Sequence, residues 1–157
     1  MQSMTPMRKP ADRVRASSTV DLTVPLPAVR EWVRDLSRYP RWMPLVHSAV
    51  ADTGADGADA WTVELRAKVG VFARSKRLRM VRTVDAENRL VFERHERDGR
   101  AHSPWTLEVT LVDAGPGCSV TMEMHYGGSL WTAGVLDRVL AHHIDQGKKG
   151  LAEVAGT

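Results

Sequence analysis

The most chemically suggestive residue in the chain is an arginine set inside an apolar alternation. Leu78, Met80, Arg82 and Val84 occupy alternate positions, so Arg82 is expected on the face that Leu78 and Met80 turn to the interior. A buried guanidinium without a partner is costly. Two accounts fit. Either a bulge turns Arg82 outward or a carboxylate such as Glu96 neutralises it, or its fork of donors anchors a carbonyl, enolate or carboxylate of a guest molecule. Tyr126, just before Gly127-Gly128, is either a core or rim tyrosine with a satisfied hydroxyl or a proton donor. His143, near the centre of an apolar helical sector, is either a packed imidazole or a base. Arg94 stands near a strand end beside Glu93 and Glu96, where a solvated rim charge or a second anchor would sit.

Other chemistries find no support. Ser103 has no base beside it, so a hydrolase triad is not expected. The lone Cys118 follows Gly115-Pro116-Gly117 and opens an alternating run, the setting of a buried strand cysteine. Alone it forms neither an internal disulfide nor a Cys-based zinc site. His142 and His143 diverge as helical neighbours, and His47, His95, His102 and His125 define no ligand set, so no metal is expected. The glycines of Gly54-Ala55-Asp56-Gly57 and Gly115-Pro116-Gly117 are turn glycines, and with neither a GxGxxG nor a P-loop no nucleotide cofactor is expected. Arg74, Lys76, Arg77, Arg79 and Arg82 form one basic run. Alternation puts Arg77 and Arg79 on the solvent face, a charged surface that discourages aggregation or docks an acidic partner, such as an acyl carrier protein, or an anionic headgroup.

These residues sit in 157 residues, about one domain, with 43% apolar and 26% charged content that suits a globular core. A net charge of +3 demands neither nucleic acid nor an anionic membrane. No apolar run approaches the roughly 18 residues of a membrane span, and the opening residues lack the apolar segment of a secretory signal, so a cytoplasmic monomer or homodimer without stable membrane insertion is expected. Residues 1–12 lack periodicity and read as a tail before a single domain at 13–157.

Strict alternation marks strands at 14–24, near 46–51, at 61–69, 76–85, 89–97, 102–112 and 118–126. Pro25-Leu26-Pro27 stops the first strand and opens a short helix with Val29, Trp32, Val33 and Leu36 at helical spacing. Between Ser37 and Pro44 two prolines allow only a second short helical turn. Residues 129–154 carry Leu136, Leu140, His143, Ile144, Gly147, Leu151 and Val154 in one sector, which predicts a long C-terminal helix. An α+β architecture follows, a seven-stranded curved antiparallel sheet wrapped on that helix. Asp98-Gly99 reads as a two-residue hairpin, which would pair Leu90 with Leu107, Phe92 with Trp105 and Arg94 with Ser103. Extended across the sheet, the inward rows are Val63, Arg82, Phe92, Trp105 and Met124, then Leu65, Met80, Arg94, Ser103 and Tyr126, then Trp61, Val84, Leu90, Leu107 and Met122. Trp42 from the second helical turn joins this lining. Gly147 and Gly150 on the long helix serve either close packing or a ligand entrance. The predicted interior is an apolar cavity with polar groups at one end, which suits a small hydrophobic ligand.

The element order, with Val24-Pro25-Leu26-Pro27 leading into Trp32-Val33 and then Tyr39-Pro40-Arg41-Trp42-Met43-Pro44, resembles the helix-grip fold of the START/Bet v 1-like (SRPBCC) superfamily, in its bacterial polyketide cyclase/dehydratase and lipid-binding branch. The resemblance spans about 13–153. It implies one of two functions: aldol cyclisation and dehydration of a polyketide, or non-catalytic carriage of a lipid, isoprenoid quinone or similar apolar molecule. Aromatase/cyclases of that branch carry an inward arginine on the strand of Arg82, implicated in orienting and polarising the chain. Tyr126 or His143 would then move the proton. Met80 departs from the pattern, standing where a small polar residue can accompany that arginine.

Overall fold

The computed structural model describes residues 13–52, 57–69, 72–127 and 133–156. The expected tail at 1–12 and the expected first residues of the C-terminal helix lie outside them. The strands are β1 (Arg13–Leu22), β2 (Val46–Ala51), β3 (Ala60–Val69), β4 (Phe72–Asp85), β5 (Arg89–Arg94), β6 (Trp105–Ala114) and β7 (Gly117–Gly127). They form one antiparallel seven-stranded sheet in the order β1-β7-β6-β5-β4-β3-β2. Successive strands from β2 to β7 are neighbours, as short connections favour, and β1 returns to close against β7. The sheet curves into a half-barrel whose inner face carries the core, with Leu90, Phe92, Val109 and Val120 fully buried.

Helix α1 (Leu26–Val33) starts after Pro25 with Pro27 in its first turn, where a missing N–H costs nothing. Val29 and Val33 bury its inner stripe. A 3₁₀ turn, Leu36–Arg41, follows; the Asp35 carboxylate caps it by accepting the Ser37 backbone N–H at 2.9 Å. Helix α2 (Ala133–Ala155) packs chiefly on β1 and also touches α1 and β3. Gly150 explains the close approach of α2 to the turn. A Cβ there would lie 2.2 Å from the Trp42 carbonyl oxygen. At Gly147 it would lie 2.6 Å from Met43 Sδ, so both glycines serve close packing on Trp42-Met43.

The expected hairpin register is displaced by two residues. Leu90 pairs with Val109 and Phe92 with Leu107, in place of Leu107 and Trp105. Asp98-Gly99 does not close a two-residue turn, because β5 stops at Arg94 and β6 begins at Trp105. The connection is held by its own polar groups: Glu96 Oε1 accepts the Arg79 N–H at 2.6 Å, and Arg94 Nη1 donates to the Ser103 carbonyl at 3.2 Å. Ser103 therefore belongs to this connection and not to a strand. The same displacement pairs Trp105 with Tyr126, Leu107 with Met124 and Val109 with Met122. On β3 and β4, Trp61 pairs with Met80 and Val63 with Leu78, so Val63 does not stand beside Arg82. A shift of two keeps every side chain on its face. The bulge at Thr83 breaks that parity, so Val84 pairs with Val91 and Asp85, not Val84, stands opposite Leu90.

Candidate functional site

An apolar void of about 40 Å³ lies between the sheet and the Leu36–Arg41 turn. Val63, Leu65, Met80, Trp105 and Met124, all expected as lining, surround it. Leu36, Tyr39, Met43, Leu78 and Leu107 complete much of its wall. Tyr39 and Met43 come from the proline-flanked turn, whose apolar residues have no period to reveal their direction. Tyr39 turns its ring inward because its hydroxyl donates to the Val33 carbonyl at 2.7 Å, leaving no unsatisfied polar atom at the wall. The void is small, room for a few waters at most. Its wall includes Met43, Met80 and Met124, unbranched side chains that can rearrange around a guest.

Other expected lining residues pack elsewhere. Trp42 is buried, donates its indole N–H to the Trp32 carbonyl at 3.3 Å and lies 4.5 Å from the Tyr39 ring. Phe92 meets Tyr39 and Trp61 edge-on, at 6.2 and 5.8 Å. Met122 is buried beside Val109. These support the wall from behind, as Gly147 does through Met43.

The three expected catalytic residues stand apart. Arg82 has a side chain only 8% exposed and is held by ion pairs to Asp59 and, at 3.4 Å, to Asp85. Its Nη1 donates to the Arg34 carbonyl at 2.6 Å, and the guanidinium lies 5.6 Å from the centre of the Trp61 ring. The carboxylate partners are thus Asp59 and Asp85, not Glu96. The bulge creates this arrangement by bringing Asp85 to the inner phase of the rim, where Arg30 and Arg34 of the α1 segment also bind it. Burial opposes ionisation of Asp85, but the hydrogen bond from Arg34 and the charges of Arg82 and Arg30 prevail and hold its pKa low. Arg82 and Trp61 line a second, polar pocket together with Arg34, Asp35 and Ser37.

Tyr126 lies three strands from Arg82, about 14 Å along the sheet at ordinary strand spacing. Its ring packs 4.5 Å from Trp105. His143 is half-buried on α2, and its Nδ1 is buried without a hydrogen-bond partner among the described residues. Burial, then the neighbouring His142, pushes its pKa down.

Sequence reasoning passed over Lys76. It stands opposite Leu65, two residues before Leu78, and shares their inward parity. Its Nζ lies 5.6 Å from the centre of the Tyr126 ring and 6.0 Å from Trp105. Arg94 is beside it, with a side chain 8% exposed. Beyond Arg94, the ligand atoms of Glu96, Asp98 and His102 lie within 4.8 Å of one another. The Arg94 guanidinium already sits among them, 3.3 Å from His102 Nδ1 and 3.7 Å from Glu96 Oε1, which makes the group an ion network. Arg79, expected on the solvent face, is 8% exposed because Asp52 and the His95 carbonyl cover it.

A family model described as polyketide cyclase / dehydrase and lipid transport matches residues 13–156. No curated protein matches the chain. Among solved structures, a START superfamily protein from Mycobacterium smegmatis is 16% identical, with 90% of this chain and 97% of that one aligned at a TM-score of 0.69. The Zhui aromatase/cyclase from a Streptomyces species is 12% identical, covering 92% of this chain and 94% of its own at a TM-score of 0.70. One di-domain aromatase/cyclase, BexL, matches at 15% identity and a TM-score of 0.69, over 95% of this chain and 52% of its own.

Proposed function

The chain belongs to the polyketide cyclase/dehydrase and lipid transport family and has the helix-grip fold of START-like proteins, and from that premise we propose that it binds one small apolar molecule between its sheet and the Leu36–Arg41 turn. The observation that carries this reading is the wall of the void, in which aliphatic, methionine and aromatic side chains converge from β3, β4, β6, β7 and the turn. A guest enters by displacing the methionines. Mass spectrometry of molecules extracted from the purified protein tests the reading: an apolar compound near one per chain is expected. Absence of any guest, together with no saturable uptake of fatty acids, quinones or aromatic polyketides, would overturn it.

A second reading adds chemistry to the same cavity. Aldol closure of a poly-β-ketone is helped by a cation that stabilises the enolate and a group that moves a proton, and Lys76, Arg94 and Tyr126 cluster beside Trp105, just behind the apolar wall of the void. Arg82 remains a candidate only if a guest replaces its carboxylate partners. Incubation with an enzymatically generated poly-β-ketone separates the readings. A change in ring pattern supports cyclisation, and an unchanged product mixture leaves carriage. Docking of an acyl carrier protein belongs to this second reading.

A further inference from the structure

We propose that Lys76 and the Trp105 indole N–H, backed by Arg94, form a receptor for the anionic head of the guest, so that the ligand is an apolar molecule ending in a single carboxylate. This inference rests on the reading that the void receives a guest. Among the described residues, three arginines with nearly buried side chains have carboxylate partners: Arg82 has Asp59 and Asp85, Arg79 has Asp52, and Arg94 has Glu96. Lys76 has none. It is half-buried, flanked by the rings of Trp105 and Tyr126, with a second cation beside it. The Glu96 charge acts on it, but that carboxylate is already shared between the Arg79 N–H at 2.6 Å and Arg94 Nε at 3.7 Å. Burial first, and Arg94 second, push the Lys76 pKa down, the response of a cation with too little negative charge around it.

Trp105 contributes the complementary donor. Its ring lines the void, and its Nε1 is buried without a hydrogen-bond partner among the described residues. A buried N–H left unpaired is costly. One carboxylate at this end would accept from the ammonium and the indole together, while its tail lay along Leu65, Leu78, Leu107 and Met124.

The test is a calorimetric or tryptophan-fluorescence titration of the whole chain with laurate and, separately, with dodecanol, two probes with the same twelve-carbon tail. Laurate should bind at least about tenfold more tightly, the scale of one charge-assisted hydrogen bond. Lys76→Met should erase that preference by weakening laurate far more than dodecanol, while Lys76→Arg retains most of it. Equal affinity of the unmodified protein for both probes would overturn the receptor and leave apolar binding standing, and this comparison needs no variant. A laurate preference that survives in Lys76→Met would overturn the role of Lys76. Binding of neither probe would overturn the receptor and the cavity reading together.

Discussion

Arg82 is held by three separate pieces of chain, since Asp59 precedes β3, Asp85 ends β4 and the Arg34 carbonyl follows α1. Removing the side chain strands Asp59, while Asp85 keeps Arg30 and Arg34, and Asp59 is exposed, so the penalty falls short of that for a fully buried pair. Arg82→Ala is expected to cost about 2 kcal/mol, seen as a melting temperature lower by about 4–8 °C. An unchanged melt would mean that the arginine is held for a guest and not for the fold. Asp85 gives the matching acid response. Its native pKa lies below its unfolded value, so its contribution is present above the usual carboxylate range and is lost as pH falls through the lowered value. Asp85→Asn should therefore flatten the acid limb of a stability-against-pH curve. At this scale the sequence was informative about parity and silent about partners. Leu78 and Met80 show that position 82 faces inward, and they show the same for position 76, where the basic run around Lys76 masked it.

The two α2 glycines make a test of packing between elements. Gly150→Ala must push the methyl group against the Trp42 backbone, so it should destabilise by about 1–3 kcal/mol despite the better helix propensity of alanine. Gly147→Ala meets only the tip of Met43, which can swing aside, and should be near neutral in a chemical denaturation series. His143 on the same helix adds a pH term. Its pKa is lowered on folding, so the unfolded chain takes up a proton first as pH falls, and stability declines from about pH 6.5 down to the lowered value. His143→Gln should remove that slope. The strands and the long helix were legible because period-2 and 3.6-residue patterns survive in single residues such as Val63, Leu107 and Ile144. The β4–β5 register was legible as well, since Met80 stands opposite Arg94 and Arg82 opposite Phe92, but that of β5 and β6 was not, because it depends on the connection at 95–104, where Glu96 and Ser103 bind across the chain and hold open what Asp98-Gly99 alone would close. The shift of two left the faces intact, so five expected lining residues meet at the void while their cross-strand neighbours differ. The bulge at Thr83 carries no sequence mark, and it moved Val84 out of its expected row.

For the whole molecule, the void joins folding to binding. Any guest that fits the native state and not the unfolded chain raises stability by about 2.7 kcal/mol at a hundredfold excess over Kd. The melting temperature should climb with guest concentration without saturating, and a melt that ignores a bound guest would mean that the guest binds the unfolded chain as tightly as the native one. Among the described residues β1 and β2 are the edge strands of the sheet, and α2 packs chiefly on β1. Of the two, the β2 edge presents the exposed Val50, at 65%.

Cys118 is the only cysteine, is 1% exposed, and pairs with Leu22 where β1 leaves the sheet. Burial, then the Asp113 charge, raises its pKa, so the native thiol is both hidden and unreactive. A thiol reagent thus becomes a clock for the parting of β1 from β7. Its labelling rate counts openings of that seam, one molecule at a time, with no background from a second sulfhydryl. Added guest should slow the clock if the void closes only when β1 and β7 are joined.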